Sequence, residues 1–475
     1  MTSRRDILKS LGAASILHGC RQEKKRPNIV FFLADDVGWS DLGVYGNRYH
    51  ETPNLDSLAA KGMKFDHAYA AAPVCSPTRA SIMTGRHPAR MRLTNWLPGP
   101  HQFPQSQLLP PQNLRRHLPR TYVTIAEVLK KAGYATAHIG KWHLGGPGHL
   151  PEQQGFDYNF AGGEWGAPKS YFYPGWENQP AIAGKGGDYL NDRLTAEALQ
   201  WLDRQRGAAF FLNFWFYDAH IPLEAKRDAV ERFASKRLQD LGTRNATYAA
   251  MLSAIDQTVG RVMSKLRDIG AADNTIIVFT SDNGGLHVPE WHCTTPTTNT
   301  PLKAGKGFLY EGGIRVPLLV SWPGVARPGA TSEVPVMSTD FYASFGEAVE
   351  SAERMPKDSQ SLVPLLRGGT QSKREALYWH YPHYSNQGGR PGGAVRRGPY
   401  KLIRTYEDQR SELYNLRQDP GESLDMASQM AELTSEMVSR LNNWLNEVRA
   451  PLAAHNPAYD PNADMRHGWQ RDCPT

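Results

Sequence analysis

Asn28-Ile29-Val30-Phe31-Phe32-Leu33-Ala34-Asp35-Asp36 decides the fold of this 475-residue chain. An apolar run that leaves neither face polar predicts a strand over 28–33 covered on both sides, as in a parallel sheet between helix layers. Two carboxylates follow at its carboxyl end, the edge where open α/β sheets bind ligands. Four more apolar runs, at 136–139, 209–216, 275–280 and 316–321, read as strands of the same sheet. Spacing of 3.6 residues predicts helices over 123–132, 190–205 and 247–269. The fold class is therefore α/β, a large and mostly parallel sheet sandwiched by helices. After Pro364 the pattern shifts to strand-like pieces at 376–381, 400–405 and 412–416 and a helix at 426–448. That order predicts a small C-terminal antiparallel sheet with one face covered by the helix. The chain divides into a leader at 1–26, a large domain at 27–360 and a C-terminal α+β subdomain at 361–475.

Composition agrees with a globular protein: 40% hydrophobic and 21% charged residues argue against disorder and against a membrane bundle. Of the net charge of +7, the first 26 residues carry +5. With no dense Lys/Arg stripe further on, no nucleic-acid partner is expected. The leader has Arg4-Arg5, an apolar stretch at 10–17 too short to span a bilayer, and Leu17-His18-Gly19-Cys20, which resembles a bacterial lipobox. This predicts an exported protein, periplasmic or membrane-anchored through a lipid on Cys20. An ordinary cleavage site nearby is the alternative.

Other strand ends are polar too. The 275–280 strand runs into Ser281-Asp282-Asn283-Gly284-Gly285. Like carboxylates side by side repel unless a cation sits between them, and oxygen donors without Cys or His suit a hard ion. Asp and Asn after a strand are also plain turn residues. Gly140-Lys141-Trp142-His143 and Tyr217-Asp218-Ala219-His220 place Lys and His at two more strand ends, where they are either hydrogen-bonded surface groups or part of an anion site beside a metal. Cys75-Ser76-Pro77-Thr78-Arg79 reads as a helix start, since proline is tolerated in the first turn, and free N–H groups there favour anions. A buried structural cysteine is the plain alternative, but it leaves Arg79, one turn further on, without a purpose.

Cys75-x-Pro77-x-Arg79 resembles the signature of the type I, formylglycine-dependent sulfatases. The resemblance extends, in order, through Asp35-Asp36, Gly140-Lys141-Trp142-His143, His220, Asp282-Asn283-Gly284, Gly305-Lys306-Gly307 and Glu311-Gly312-Gly313-Ile314-Arg315. It implies an alkaline phosphatase-like fold and a sulfuric ester hydrolase. It also implies oxidation of Cys75 to formylglycine by a formylglycine-generating or sulfatase-maturing enzyme, the hydrated aldehyde being the nucleophile. Asp35, Asp36, Asp282 and Asn283 carry over as calcium ligands, completed by the oxygen of residue 75. Arg79 and Lys141 would hold residue 75 and the developing charge. Lys306 and His220 would contact the sulfate and the bridging oxygen, with His220 as general acid. His143 would take a proton from the second hydroxyl and so expel sulfate. Two alternatives stay open: a phosphate or phosphonate monoester hydrolase of the same superfamily, disfavoured because Asp282 is followed by Asn283 rather than His, and a surface lipoprotein that binds sulfated glycan without turnover.

The expected substrate is a sulfated carbohydrate of galactose or N-acetylgalactosamine type. Trp96, Trp165, Tyr171, Tyr173 and Trp176 are stacking platforms for sugars or else core contacts. The segments 144–188 and 287–300 match no catalytic motif and are expected at the pocket mouth. His380 and His383, with Arg396-Arg397 and a Gly-rich loop at 388–393, are read as a mobile sugar-binding rim, against interdomain packing as the alternative. With Cys20 and Cys75 otherwise used, Cys293 and Cys473 are left either as a disulfide or as two unrelated thiols.

Overall fold

The computed structural model describes residues 26–99, 106–176, 182–236, 245–290, 293–370, 372–463, 470 and 473. The export reading and Cys20 lie outside these residues. The strand Asn28–Ala34 is entirely buried and pairs in parallel with Thr275–Ser281 on one side and Phe210–Trp215 on the other. Outward from them, the eight-stranded sheet adds Ala135–Gly140 and Tyr158–Phe160 at one end. At the other end come Leu318–Ser321, Met63–Phe65 and Ala330–Ser332. Only Leu318–Ser321 runs against the rest. Odd and even residues of the central strand feed two cores: Val30 and Phe32 join helices Leu190–Asp203 and Ala246–Asp268, while Ile29, Phe31 and Leu33 join Ile125–Lys131 and Asp340–Ala348.

The predicted 316–321 strand is two pieces. Arg315–Val316 pairs with Ala68–Tyr69 in a separate small sheet, and Leu318–Ser321 enters the large one. Pro317 stands between them and has no N–H to give to a ladder.

Beyond Val363–Leu366, whose leucines still belong to the large core, the chain forms a four-stranded antiparallel sheet. Its order is Leu377–Tyr381, Gly392–Arg397, Tyr400–Thr405 and Ser411–Asn415. Helix Ala431–Glu447 covers one face through Met437, Leu441 and Leu445. Leu377, Trp379 and Tyr381 press the opposite face on Tyr69, Ala71 and Val74 of the large domain. Trp379 Nε1 donates to the carbonyl of Ala70 at 2.8 Å. The second strand was hidden in the sequence because Gly392-Gly393 and Arg396-Arg397 blur the alternation. The Gly-rich segment is thus partly strand, a correction to the loop expected at 388–393.

Buried charges tie the two units together. Lys401 Nζ lies 2.9 Å from both Glu311 and Glu422, all three fully buried, and Glu311 also accepts from the Tyr69 hydroxyl at 2.8 Å. Further along, Ala454–His455 pairs back onto Leu108–Leu109. Cys293 and Cys473 form a disulfide with Cα atoms 5.1 Å apart, closing a span of 180 residues. The tail is thereby fixed to the loop after Asp282-Asn283.

Two outcomes follow. Peptide mapping under non-reducing conditions should recover Cys293 and Cys473 in one linked fragment, and Cys293→Ser should lower unfolding free energy by about 2–4 kcal/mol. Burial, with Glu311 alongside, pushes Glu422 up to about 7, against the attraction of Lys401. The folded state then holds a proton that the unfolded state has already lost, so this contribution to stability falls as pH rises from about 4.5 to about 7. Glu422→Gln should flatten that part of a Tm-against-pH curve, and an unchanged slope would show that Glu422 is ionised throughout.

Candidate active site

Parallel register sets the site. Ala34 lies opposite Ser281, Leu33 and Gly140 both lie opposite Trp215, and the chain therefore leaves four neighbouring strands at one level. Asp35-Asp36, Asp282-Asn283, Tyr217-Asp218 and Lys141 all emerge at that edge. Gly140 turns the chain with φ +99°, and a Cβ there would lie 1.9 Å from the carbonyl of Trp215, so only glycine delivers Lys141 inward. Helix Cys75–Thr84, all ten residues buried, points its first turn at the same place.

The polar groups assemble as charge pairs. Asp35, Asp36 and Asp282 are at most 1% exposed. Arg79 binds Asp282 Oδ2 through Nε at 2.9 Å and Nη2 at 2.8 Å, and its Nη1 donates to the carbonyl of Lys141 at 3.0 Å. Lys141 Nζ pairs with Asp35, and Lys306 Nζ with Asp36 at 2.7 Å. The Cys75 thiol donates to Asp35 Oδ1 at 3.5 Å. Donor atoms of Asp35, Asp36, Cys75 and His220 all lie within 4.8 Å of one another. The ten residues expected from the sequence at this centre, Asp35, Asp36, Cys75, Arg79, Lys141, His143, His220, Asp282, Asn283 and Lys306, do gather here.

Burial and Asp282 push Asp35 up to about 7, whereas at Asp36 the attraction of Lys306 and His220 overcomes burial and holds it down to about 2. Burial, followed by Asp282, keeps the Cys75 thiol well above its ordinary value, so the unmodified side chain is a neutral thiol and a weak nucleophile. The two histidines are assigned by their partners, since a backbone carbonyl only accepts. His143 Nε2 donates to the carbonyl of Leu97 at 2.5 Å, leaving buried Nδ1 as a lone pair without a protein partner. Gly166 makes room for that ring, because a Cβ there would lie 2.6 Å from it. His220 Nδ1 donates to the carbonyl of Ile221 at 2.6 Å, and Nε2 faces Asp36 Oδ2 at 3.7 Å. Burial and Lys306 push this ring down to about 3, so Nε2 is proton-free near neutral pH.

Asn283 gives Nδ2 to Asp36 Oδ1 at 2.8 Å and to the carbonyl of Gly284 at 2.9 Å, which leaves its buried Oδ1 without a hydrogen-bond partner. An orphaned amide oxygen beside three carboxylates is the donor set of a hard cation.

The expected sugar rim is only partly assembled. His380 sits on the helix side of the small sheet, 2% exposed, with Nδ1 bonded to the Tyr406 hydroxyl and Nε2 to the carbonyl of Pro451. Arg396 is buried over the Tyr69 ring, and Arg397 pairs with Glu436 on the covering helix. Packing claimed His380 and Arg396, which corrects their reading as a sugar-contacting surface, while Arg397 stays exposed. His383 meets Thr94 Oγ1 at 2.8 Å and lines a cavity with Trp96. Among the aromatic candidates, Tyr171 and Trp176 are core, and Trp165 is exposed. Tyr171 supports the site from behind, its hydroxyl donating to the carbonyls of Tyr217 and His220 at 2.6 and 3.0 Å.

Sequence reasoning missed Glu290, within the undecoded 287–300 segment. Gln387 Nε2 donates to it at 2.8 Å, and its charge is felt by Lys306. Nothing in the spacing of Glu290 and Gln387, about a hundred residues apart, signals that meeting.

Comparison with known proteins agrees with this geometry. Residues 27–351 match the family model described as Sulfatase, and residues 304–450 match the one described as N-sulphoglucosamine sulphohydrolase, C-terminal. A sulfatase of Formosa agariphila is 30% identical over 91% of this chain and 91% of its own length. The N-acetylgalactosamine-6-sulfatase of Canis lupus familiaris is 33% identical over 78% of this chain and 72% of its own. Among solved structures, Ps i-CgsB in complex with k-i-k-neocarrahexaose superposes with a TM-score of 0.74 at 28% identity, covering 94% of this chain and 98% of that one. The site geometry, the order of its motifs and these matches agree: the chain belongs to the sulfatase family and is a sulfuric ester hydrolase of alkaline phosphatase-like fold.

Proposed function

We propose that the protein hydrolyses sulfate esters of carbohydrates, of galactose or N-acetylgalactosamine type, through a formylglycine made from Cys75 and with a calcium ion. The observation that carries this reading is the convergence on Cys75 of Asp35, Arg79, Lys141 and Lys306 in one buried pocket, beside the partnerless Asn283 Oδ1. Asp35, Asp36, Asp282 and Asn283 are the residues that would hold calcium, which supplies Lewis acidity at the sulfate oxygens and eases ionisation of the nucleophile. An oxygen nucleophile at position 75, installed by a formylglycine-generating or sulfatase-maturing enzyme, replaces a thiol that this pocket keeps protonated.

The other side chains have separable tasks. Arg79, locked on Asp282, and Lys141, locked on Asp35, orient residue 75 and compensate negative charge near it. Lys306 presents a fixed ammonium to the sulfate. His220 faces the leaving oxygen through Nε2, and an anionic ester bound beside it offsets the repulsion from Lys306, so the ring takes up the proton that it then delivers. His143 Nδ1, proton-free and buried, is the base that removes the second hydroxyl proton of residue 75.

Support for a carbohydrate substrate comes from relatives named for N-acetylgalactosamine and from a neighbour holding a carrageenan fragment. The match of the C-terminal part to an N-sulphoglucosamine enzyme adds one more sugar to test. Export to the periplasm, free or anchored by a lipid on Cys20, is proposed as well. The disulfide supports it, since such bonds persist in oxidising compartments.

Mass spectrometry of the native protein should find residue 75 with its sulfur replaced by an aldehyde oxygen, and Cys75→Ala should abolish turnover of 4-nitrophenyl sulfate. A wholly unmodified thiol in native material would favour a glycan-binding protein without turnover. Calcium should raise Tm in the wild type and not in Asp282→Asn; a shift retained in that variant would remove Asp282 from the ligand set. Lys306→Met strips a buried carboxylate of its partner, so it should cost about 3–5 kcal/mol in denaturant unfolding as well as most of the activity.

A further inference from the structure

A cavity of about 560 Å³ opens beside the catalytic centre, within the size range of small-molecule sites. Its wall includes Asn95, Trp96, Leu97, Arg115, Arg116 and His383. Leu97 belongs to both places: its carbonyl fixes His143 at 2.5 Å, and its N–H donates to Ser76 Oγ at 3.1 Å, one residue after Cys75. The arginine segment is anchored just as closely. Leu118 N donates to the carbonyl of Leu144, the residue after His143, at 2.8 Å, and Arg115 N to the carbonyl of Arg92 at 2.8 Å.

The cavity wall offers donors and positive charge. Asn95 Oδ1 accepts from the Trp96 backbone at 2.9 Å and from the Tyr381 hydroxyl at 3.2 Å. That occupies the amide oxygen and leaves the buried Nδ2 as a donor without a protein partner on a residue 7% exposed. Arg115 and Arg116 are exposed and, among the described residues, pair with no carboxylate within 4 Å. No carboxylate is near in sequence either. From His67 to Ala126 the chain has seven arginines and not one Asp or Glu. The uneven distribution is invisible in a net charge of +7 and in a search for dense basic runs.

We propose that this cavity is a second sugar subsite, which binds a further acidic group, sulfate or carboxylate, on the sugar next to the one whose ester is cleaved. The inference rests on the carbohydrate sulfatase reading above. Trp96 offers an aromatic wall to the sugar ring, and Asn95 Nδ2 donates to a hydroxyl or acid oxygen. The guanidinium forks match the planar carboxylate or the oxygens of a sulfate. The substrate class narrows accordingly to acidic oligosaccharides, with the shared wall at Leu97 setting the distance between scissile sulfate and second charge.

The test uses the full-length protein. Arg115→Ala/Arg116→Ala and Arg115→Lys/Arg116→Lys are made in the active protein and again with Cys75→Ala, which prevents turnover during binding measurements. Chondroitin 6-sulfate tetrasaccharide supplies uronate carboxylates, and an iota-carrageenan tetrasaccharide supplies only sulfates. The alanine pair should weaken binding at least tenfold and flatten its salt dependence, the lysine pair, which keeps the charge and loses the fork, should weaken binding less than the alanine pair, and 4-nitrophenyl sulfate turnover should stay within twofold of wild type. Loss on the carrageenan probe identifies a second sulfate, and loss on the chondroitin probe alone a carboxylate. Affinity within twofold of the parent for both tetrasaccharides, no binding of either to the parent, or a parallel fall in aryl sulfate turnover each overturns the proposal. Failure of the wild type to hydrolyse any sulfate ester would instead sink the hydrolase reading, while the affinity comparison would still decide the subsite.

Discussion

Three carboxylates with almost no exposure, Asp35, Asp36 and Asp282, sit together only because Lys141, Lys306 and Arg79 stand one against each. Removing such charges from water costs several kcal/mol per ion unless each is paired and hydrogen-bonded. The remaining architecture serves that condition. Parallel strands bring the carboxylates to one level, helix Cys75–Thr84 brings the guanidinium up from below, and Gly140 turns Lys141 into the pocket. Wrong placement of any cation would leave a buried anion uncompensated.

The same pairing makes the site rigid where hydrolysis requires fixed charges. Arg79 is held at both ends of its fork, by Asp282 and by the carbonyl of Lys141, so little reorganisation remains when negative charge develops. Asn283 Oδ1 and His143 Nδ1 are left out of the network, as is Asp218 Oδ2 at the same edge. A buried polar atom without a partner is expensive, and the cost is tolerated where a ligand or a proton is to be received.

The C-terminal subdomain acts through packing. Its sheet presses Trp379 on Ala70 and its charges bracket Glu311, so the strand leading to Cys75 and the loop following Lys306 are both braced from outside the large sheet. His380 and Arg396 are absorbed by that work. The disulfide adds a second brace on the loop that carries Glu290.

What the sequence determined by itself was whatever depends on neighbours along the chain. Continuous apolar runs reveal doubly covered strands, a polar pair after such a run marks the functional edge, and Cys75-Ser76-Pro77-Thr78-Arg79 places two charged or reactive groups one helical turn apart. Both the parallel fold and the polar strand ends were therefore legible, while Lys306 and the roles of the ten central residues came from the resemblance of the motifs to the sulfatase family. Tertiary structure alone decided which exposed-looking groups become packing and which remain free. The alternation of Leu377–Tyr381 is the same whichever face meets helix or domain, and only docking placed His380 against Pro451. Likewise Arg115 and Arg116 reach the cavity wall because backbone bonds from Arg115 to Arg92 and from Leu118 to Leu144 hold their segment there, across sequence separations that leave no local pattern. Long-range burial and charge pairing are properties of the assembled surface, which spacing within one segment does not encode.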